Sequence, residues 1–299
     1  MKRRAIQLAG KTIVLSLPSK WVKQNNIQKG DELDVELEEK SLTVSTEKAK
    51  ESKKVIIDAE EDFNPLYIAY LYQAGVDEIR VNYKDQEIYS KLQEKLPDLM
   101  GYEIIDQGEN HVEIKNVSVE LEEQFENMFR RVYYLIEEMG KNSLEAIKNK
   151  DKTRLKGVIS LENSVDKFTD FCKRVLNKKG HKDHNKTQFY YVIIRDLEKI
   201  ADHYEKMSTY MMENSFVPGK ETMELYREAN EFFSRFHKLF YKFDKENASK
   251  FQKKKKELGK RAEKLMGTVE RKELYLIYNL ASLVKMTGNL YGPYYTTRM

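Results

Sequence analysis

GKTIVLSLPSKWVKQNNIQKGDELDVEL, residues 10–37, is the stretch from which the N-terminal fold is read. Its first part, TIVLSL (12–17), reads as a short strand, and ELDVEL (32–37) alternates so that Leu33, Val35 and Leu37 share one face. A period of two is that of a half-buried strand. Between them Pro18 opens a short helix, because its missing N–H is not needed in a first turn. That helix carries Trp21 and Val22 and ends at Asn25-Asn26, and Lys29-Gly30-Asp31 makes a turn. Outward from this core, RRAIQLA (3–9) supplies a strand before the turn at Gly10-Lys11, and SLTVS (41–45) supplies one after it. The spacing is that of hairpins. The result is a ββαββ unit over residues 1–47. So small a unit buries little by itself, and no disulfide or metal site is in view to staple it. An intertwined homodimer is therefore expected.

Charge sets this unit apart. Residues 1–30 hold seven basic side chains and no acidic one, whereas residues 31–116 hold 22 acidic and 10 basic. A compact basic block attracts polyanions. The whole chain of 299 residues carries a formal charge of +4, so the asymmetry is local. A single Cys172 rules out an intrachain disulfide and fits a reducing, cytoplasmic setting. No apolar run is long enough for a membrane span, and the basic N-terminus lacks the apolar segment of a secretion signal.

After a charged linker (46–54), a small α/β domain is read over residues 53–116. It comprises a strand at 54–58, a helix at 65–74 stopped by Gly75, a strand at 78–82, a helix at 85–96, and a pair of strands at 102–106 and 111–115 turning at Gln107-Gly108. It has no glycine-rich phosphate loop, and a structural or dimerising role is expected. From about 117 the pattern changes to long helices, with Leu121, Phe125, Met128, Val132, Leu135 and Met139 forming an apolar stripe. Helices are expected at about 118–149, 152–177, 188–214, 219–243, 246–266 and 268–290. The fold class is thus an α+β N-terminal half followed by an all-α bundle of two three-helix repeats, about 117–214 and 218–299.

Two segments carry family wording. In 10–37, the order G-x-T-x-x-x-S-L-P, helix with Trp21, K-G-D and alternating strand resembles the AbrB/SpoVT family of swapped-hairpin DNA-binding domains. The resemblance implies a homodimer of interlocked hairpins that contacts double-stranded operator DNA through basic residues. Arg3, Arg4, Lys11, Lys20 and Lys23 are the candidates: Arg and Lys neutralise phosphates and release counterions, and Arg also reaches base edges bidentately. Further on, RDLEKIADHYEKM (195–207), with Ala201 where the pattern has Gly, and LENSVDKF (161–168) resemble the signature helices of PhoU-type phosphate-signalling proteins. The whole chain resembles the archaeal phosphate-uptake regulators in which the two parts are fused.

The PhoU resemblance implies a metal site. Carboxylates at i and i+4 lie on one helical face, which groups Glu162, Asp166 and Asp170 on one helix and Glu198 and Asp202 on the next. Five facing carboxylates favour a cation between them, and oxygen ligands suit Mg, Ca, Mn or Fe, with Zn also among the candidate ions. In the second repeat Ala281 falls opposite Glu198, Lys285 opposite Asp202 and Arg261 opposite Asp166, while Glu257 matches Glu162. At most one such site per chain is expected, and an Arg or Lys can stand in for a cation. Other readings are plainer: His181 and His184 sit in a polar loop, Cys172 reads as a buried helix residue, Met207, Met211 and Met212 as core, and Lys253–Lys256 as a solvated face. No nucleophile–base arrangement, Walker loop or dinucleotide loop occurs, so an enzyme is not expected. The expected function is a DNA-binding transcriptional regulator of phosphate uptake. The alternative is an adaptor that docks on a phosphate-transporter ATPase or a signalling kinase. An antitoxin, the lesser third reading, fits poorly with so long a helical part.

Overall fold

The computed structural model describes residues 1–8, 10–37, 42–46, 53–60, 62–117 and 123–298. Within it the chain divides into two units, residues 1–53 and 54–299. In the first unit β1 (Ala5–Leu8) and β2 (Thr12–Leu15) form an antiparallel hairpin with Ala5 opposite Leu15. Gly10, at φ +95°, makes its turn in the left-handed region that glycine tolerates without cost. A short helix α1 (Ser19–Gln24) follows Pro18. Then β3 (Leu33–Leu37) and β4 (Leu42–Thr46) form a second hairpin with Val35 opposite Val44. The two hairpins are separate two-stranded sheets. The first strand is shorter than the expected 3–9: Arg3 and Arg4 precede it. Ser41, Ala9 and most of the expected linker (47–52) lie outside the described residues.

No described side chain of this unit is fully buried. Ile13 is 70 % exposed and Leu37 80 %, with Ile6, Leu8, Leu15, Val35 and Leu42 half exposed. An isolated two-stranded hairpin is marginal in water.

The second unit begins with the α/β domain. Its strands β5 (Lys54–Asp58), β6 (Glu78–Asn82), β7 (Tyr102–Gln107) and β8 (His111–Asn116) form one sheet in the order β5-β6-β8-β7. The β5–β6 pair is parallel, joined through helix α2 (Leu66–Gln73); β6–β8 and β7–β8 are antiparallel. Helix α3 (Gln86–Lys95) is capped by Asp85, which accepts from the Glu87 N–H at 2.8 Å. Ile68, Tyr72, Ile79, Val81, Leu92 and Ile114 form its core.

The bundle consists of α4 (Phe125–Asn149), α5 (Lys152–Lys179), α6 (Thr187–Asn214), α7 (Lys220–Tyr241), α8 (Lys245–Met266), α9 (Leu274–Asn289) and a final turn of helix, α10 (Tyr291–Thr296). Helices α4, α5 and α6 pack on one another, as do α7, α8 and α9; α6 on α9 and α4 on α7 join the triples into one core. Lys150, at φ +55°, ends α4, and Asp151 caps α5 by accepting from the Arg154 N–H at 2.9 Å. Two boundaries differ from expectation. The first helix begins at Phe125, and residues 118–122, with Leu121 of the expected stripe, lie outside the described residues. The last expected helix, 268–290, starts only at Leu274 and is followed by α10. The reason is Glu273, 6 % exposed, whose carboxylate accepts from the Gly219 N–H at 3.0 Å and from the Thr222 hydroxyl. It satisfies the start of α7 and fixes the start of α9 at the same time.

Candidate functional site

Two regions of the chain carry the chemistry. In the first unit, Arg3 and Arg4 stand before β1, Lys11 lies in the β1–β2 turn, and Lys20 and Lys23 lie on α1. All five are exposed, and none has a side-chain hydrogen-bond or ion-pair partner among the described residues. Their charges are left to whatever meets them from solution.

The second region is the face between α5 and α6. Glu162, Asp166 and Asp202 each offer one carboxylate oxygen, all within 4.8 Å of one another. Oxygens on opposite sides of a Mg or Ca ion lie about 4–5 Å apart, twice an ordinary metal–oxygen distance. The three therefore fit one hard cation. Asp166 Oδ1 supports the fit, because it is buried with no hydrogen-bond partner. Burial and the neighbouring Glu162, Glu198 and Asp170 push the Asp166 carboxyl up to about 8. Burial also raises Glu162, with Asp202, Glu205 and Glu198 adding to it.

The five expected carboxylates do not converge on one point. Lys173, 5 % exposed and one turn along α5 from Asp170, sits between Asp170 (3.2 Å) and Glu198. Burial opposes its charge, but Asp170 and Glu198 outweigh that and raise the ammonium above its ordinary value. Asp170 and Glu198 thus have an internal cation. Asp202 also meets Lys199 at 3.2 Å and Lys206 at 3.6 Å. Lys173 is absent from the sequence expectations. Its i,i+3 spacing from Asp170, which puts the two on one helical face, is the signal that points to it.

In the second repeat, Arg261 on α8 meets Glu228 of α7 at 2.7 Å, and Lys254 adds a second ion pair at 3.5 Å. The protein's own cations serve there. The weaker candidates have structural partners. The His181 ring stacks on Tyr190 (4.1 Å between centroids) and accepts from the Asp183 N–H at 3.1 Å. His203 hydrogen-bonds the Asn279 side chain at 2.9 Å. Cys172 is fully buried, as are Met207 and Met211, and Met212 packs against the core.

Beside the acidic face, α5 also holds the α/β domain. Arg174, 2 % exposed, donates to the Tyr72 carbonyl at 3.0 Å and to that of Val76, and pairs with Asp77 at 2.6 Å. Its guanidinium lies over the rings of Tyr72 (4.9 Å) and Tyr102 (5.4 Å). Lys178 also reaches Asp77 (2.7 Å), and Asn177 donates to the Gln73 carbonyl (2.7 Å). Gly75 permits the approach: at φ +81° it ends α2, and a Cβ there would lie 2.5 Å from the Lys178 side chain. The Gln73 amide then donates to Asp170 at 2.9 Å, so the α/β domain touches the acidic face directly.

Residues 112–211 match the family model described as PhoU domain. Residues 6–54 match that described as antidote-toxin recognition MazE, bacterial antitoxin. Among solved structures, the chain is similar to the phosphate transport system regulatory protein PhoU from Streptococcus pneumoniae. Identity is 16 %, over 60 % of this chain and 95 % of that one, with a TM-score of 0.49. Comparison with curated proteins gives no match. No helix among the described residues is long and apolar enough to cross a membrane. The PhoU match runs from the start of β8 through α4 and α5 into α6, and so includes the two helices that bear the acidic face. The chain thus joins a MazE-like segment over residues 6–54 to a PhoU-like segment over residues 112–211.

Proposed function

We propose that the protein is a homodimeric, DNA-binding transcriptional regulator of phosphate uptake. The observation that carries this reading is the first unit: five exposed cations, without a side-chain partner among the described residues, on the first hairpin's lead-in and turn and on α1, in a unit none of whose described side chains is fully buried. Exposed Ile13, Leu37 and Val35 supply the apolar surface a second chain would cover. A two-fold dimer would present the cations twice and read two half-sites of an operator. The PhoU domain supports the link to phosphate and a regulatory rather than catalytic role. In this reading the acidic face of α5 and α6 holds a divalent cation on Glu162, Asp166 and Asp202. With the five carboxylates ionised, Lys173, Lys199 and Lys206 leave two negative charges for the cation to balance. An all-oxygen donor set favours Mg, Mn or Ca over Zn.

Fluorescence anisotropy of the full chain on its own promoter and on scrambled DNA, over a salt series, tests the proposal. Promoter binding should exceed scrambled binding at least tenfold, with a log–log salt slope of about −4 to −9 for some 4–10 phosphate contacts per dimer. Absent or salt-independent binding would turn the basic surface into a protein-docking face. Co-purification with a transporter ATPase or a kinase would then support the adaptor.

A further inference from the structure

Away from the acidic face, helix α7 separates two cavities that none of the above uses. The first, of about 370 Å³, lies between α4 and α7. Three ring-bearing side chains line it, beside Arg130, Glu137, Ser234 and Lys238. Tyr134 (49 % exposed) and Tyr241 (37 % exposed) stand edge-on to the ring of His237, at 5.1 and 5.5 Å. His237 is itself 8 % exposed and stacked on buried Tyr133 at 4.8 Å. Its Nδ1 lies 3.1 Å from Glu137, which fixes the ring. Glu137 stays ionised: burial raises it, but hydrogen bonds from His237 and Ser234 outweigh burial. Arg130 lies over the Tyr241 ring at 4.8 Å.

The second cavity, of about 380 Å³, lies between α7 and α8. Arg235, Lys238, Lys242, Lys250 and Lys254 line it against one carboxylate, Asp244, and Leu239 contributes an apolar floor. Lys250 and Lys254 are engaged by Glu246, Glu257 and Glu228. The Arg235 and Lys242 side chains have no hydrogen-bond or ion-pair partner among the described residues. Lys238 lines both cavities. On a helix, 234, 237 and 241 fall to one side of residue 238, and 235, 239 and 242 to the other. One ligand can therefore lie across α7 at Lys238 with an end in each cavity.

An aromatic slot with a histidine and a neighbouring basic cavity with unpaired cations suit a molecule that joins a flat ring to phosphates. We propose that this surface binds a nucleoside polyphosphate, its base against Tyr134, Tyr241 and His237 and its phosphates on Lys238, Arg235 and Lys242. Bases stack on aromatic faces irrespective of their identity. Arg and Lys supply forked and point-like donors to phosphate oxygens. Inorganic phosphate would leave the aromatic slot empty, and a nucleoside would leave the cations unmatched.

Isothermal titration of the full chain with ATP, tripolyphosphate and adenosine tests this. ATP should bind at least tenfold tighter than either fragment. Tyr134→Leu, at an exposed position, should weaken ATP to the level of tripolyphosphate and leave tripolyphosphate unchanged. The double variant Arg235→Glu, Lys242→Glu should weaken ATP and tripolyphosphate alike, at least tenfold, without altering the melting temperature. Equal affinity for ATP and tripolyphosphate, or ATP binding that both variants leave unchanged, would overturn the proposal. Neither readout depends on DNA binding, so its failure and that of the regulator reading are separable.

Discussion

The two units of this chain solve the problem of burial in opposite ways. Residues 54–299 enclose two apolar cores and join them through a polar pin, Arg174, that leaves scarcely any of its surface in water. Among its described residues, the unit 1–53 buries no side chain completely, exposing leucine and isoleucine on the first hairpin and leucine and valine on the second. The first kind of unit is finished within one chain. The second leaves both apolar residues and cations exposed among its described residues, and in the proposed reading a second chain and DNA are what cover them.

The contrast breaks most visibly at the exposed apolar residues. Ile13→Lys with Leu37→Lys should reduce promoter binding more than a hundredfold and convert the protein to a monomer. The melting of the second unit should move by no more than about 0.5 kcal/mol, as for any surface change. Sedimentation and anisotropy measure the first two effects, calorimetry the third. A large loss of stability would show that these side chains already pack within one chain. The opposite substitution, Arg174→Leu, should cost about 3 kcal/mol, because it strands the Tyr72 and Val76 carbonyls and weakens the anchoring of Asp77. Limited proteolysis should then cut within 54–116 first. Unchanged protection there would mean that the apolar packing between α2 and α5 suffices.

Sequence patterning made the elements of both units legible but not the links between them. Alternation at 32–37 and the breaks at Gly75 and Lys150 mark elements within a residue or two, because strand and helix periods are local. Arg174 sits in KRVLNKK, which looks like a solvated helix end, and its partners lie about a hundred residues away. The spacing of Lys173 from Asp170 is legible, but only the packing of α5 on α6 brings Glu198 to the same ammonium. The acidic residues at 162, 166 and 202 were legible from helical spacing and family wording together. That these three, and not five, share a point depended on a neighbour that the motif does not mention.

Smaller effects sharpen the picture. Arg3→Ala or Arg4→Ala should weaken promoter binding by about 1–3 kcal/mol if the guanidinium meets a base, with loss of preference at that position. If it meets a phosphate, the salt slope should fall by about one for each phosphate no longer neutralised, and the preference should remain. A variant with unchanged affinity and slope would remove that residue from the interface. The smallest effect is one of pH. Folded Asp166 sits at about 8, far above an ordinary aspartate, so the folded chain keeps a proton that the unfolded chain releases. Its contribution to stability is present below about pH 4 and is lost as the pH rises through about 8. Chelator-treated protein should therefore melt lower at pH 8.5 than at pH 5.5. Added Mg or Mn should raise melting more at pH 8.5, and Asp166→Asn should flatten both trends. Equal metal increments at the two pH values would argue against a cation on these oxygens.

The central claim is that the first unit is half of a structure completed by a second chain and used on DNA. Sedimentation of the full chain, alone and with a promoter duplex, tests it most directly. The account predicts a species of twice the chain mass at micromolar concentration, and one duplex bound by two chains. A monomer that binds the duplex one-to-one would contradict it.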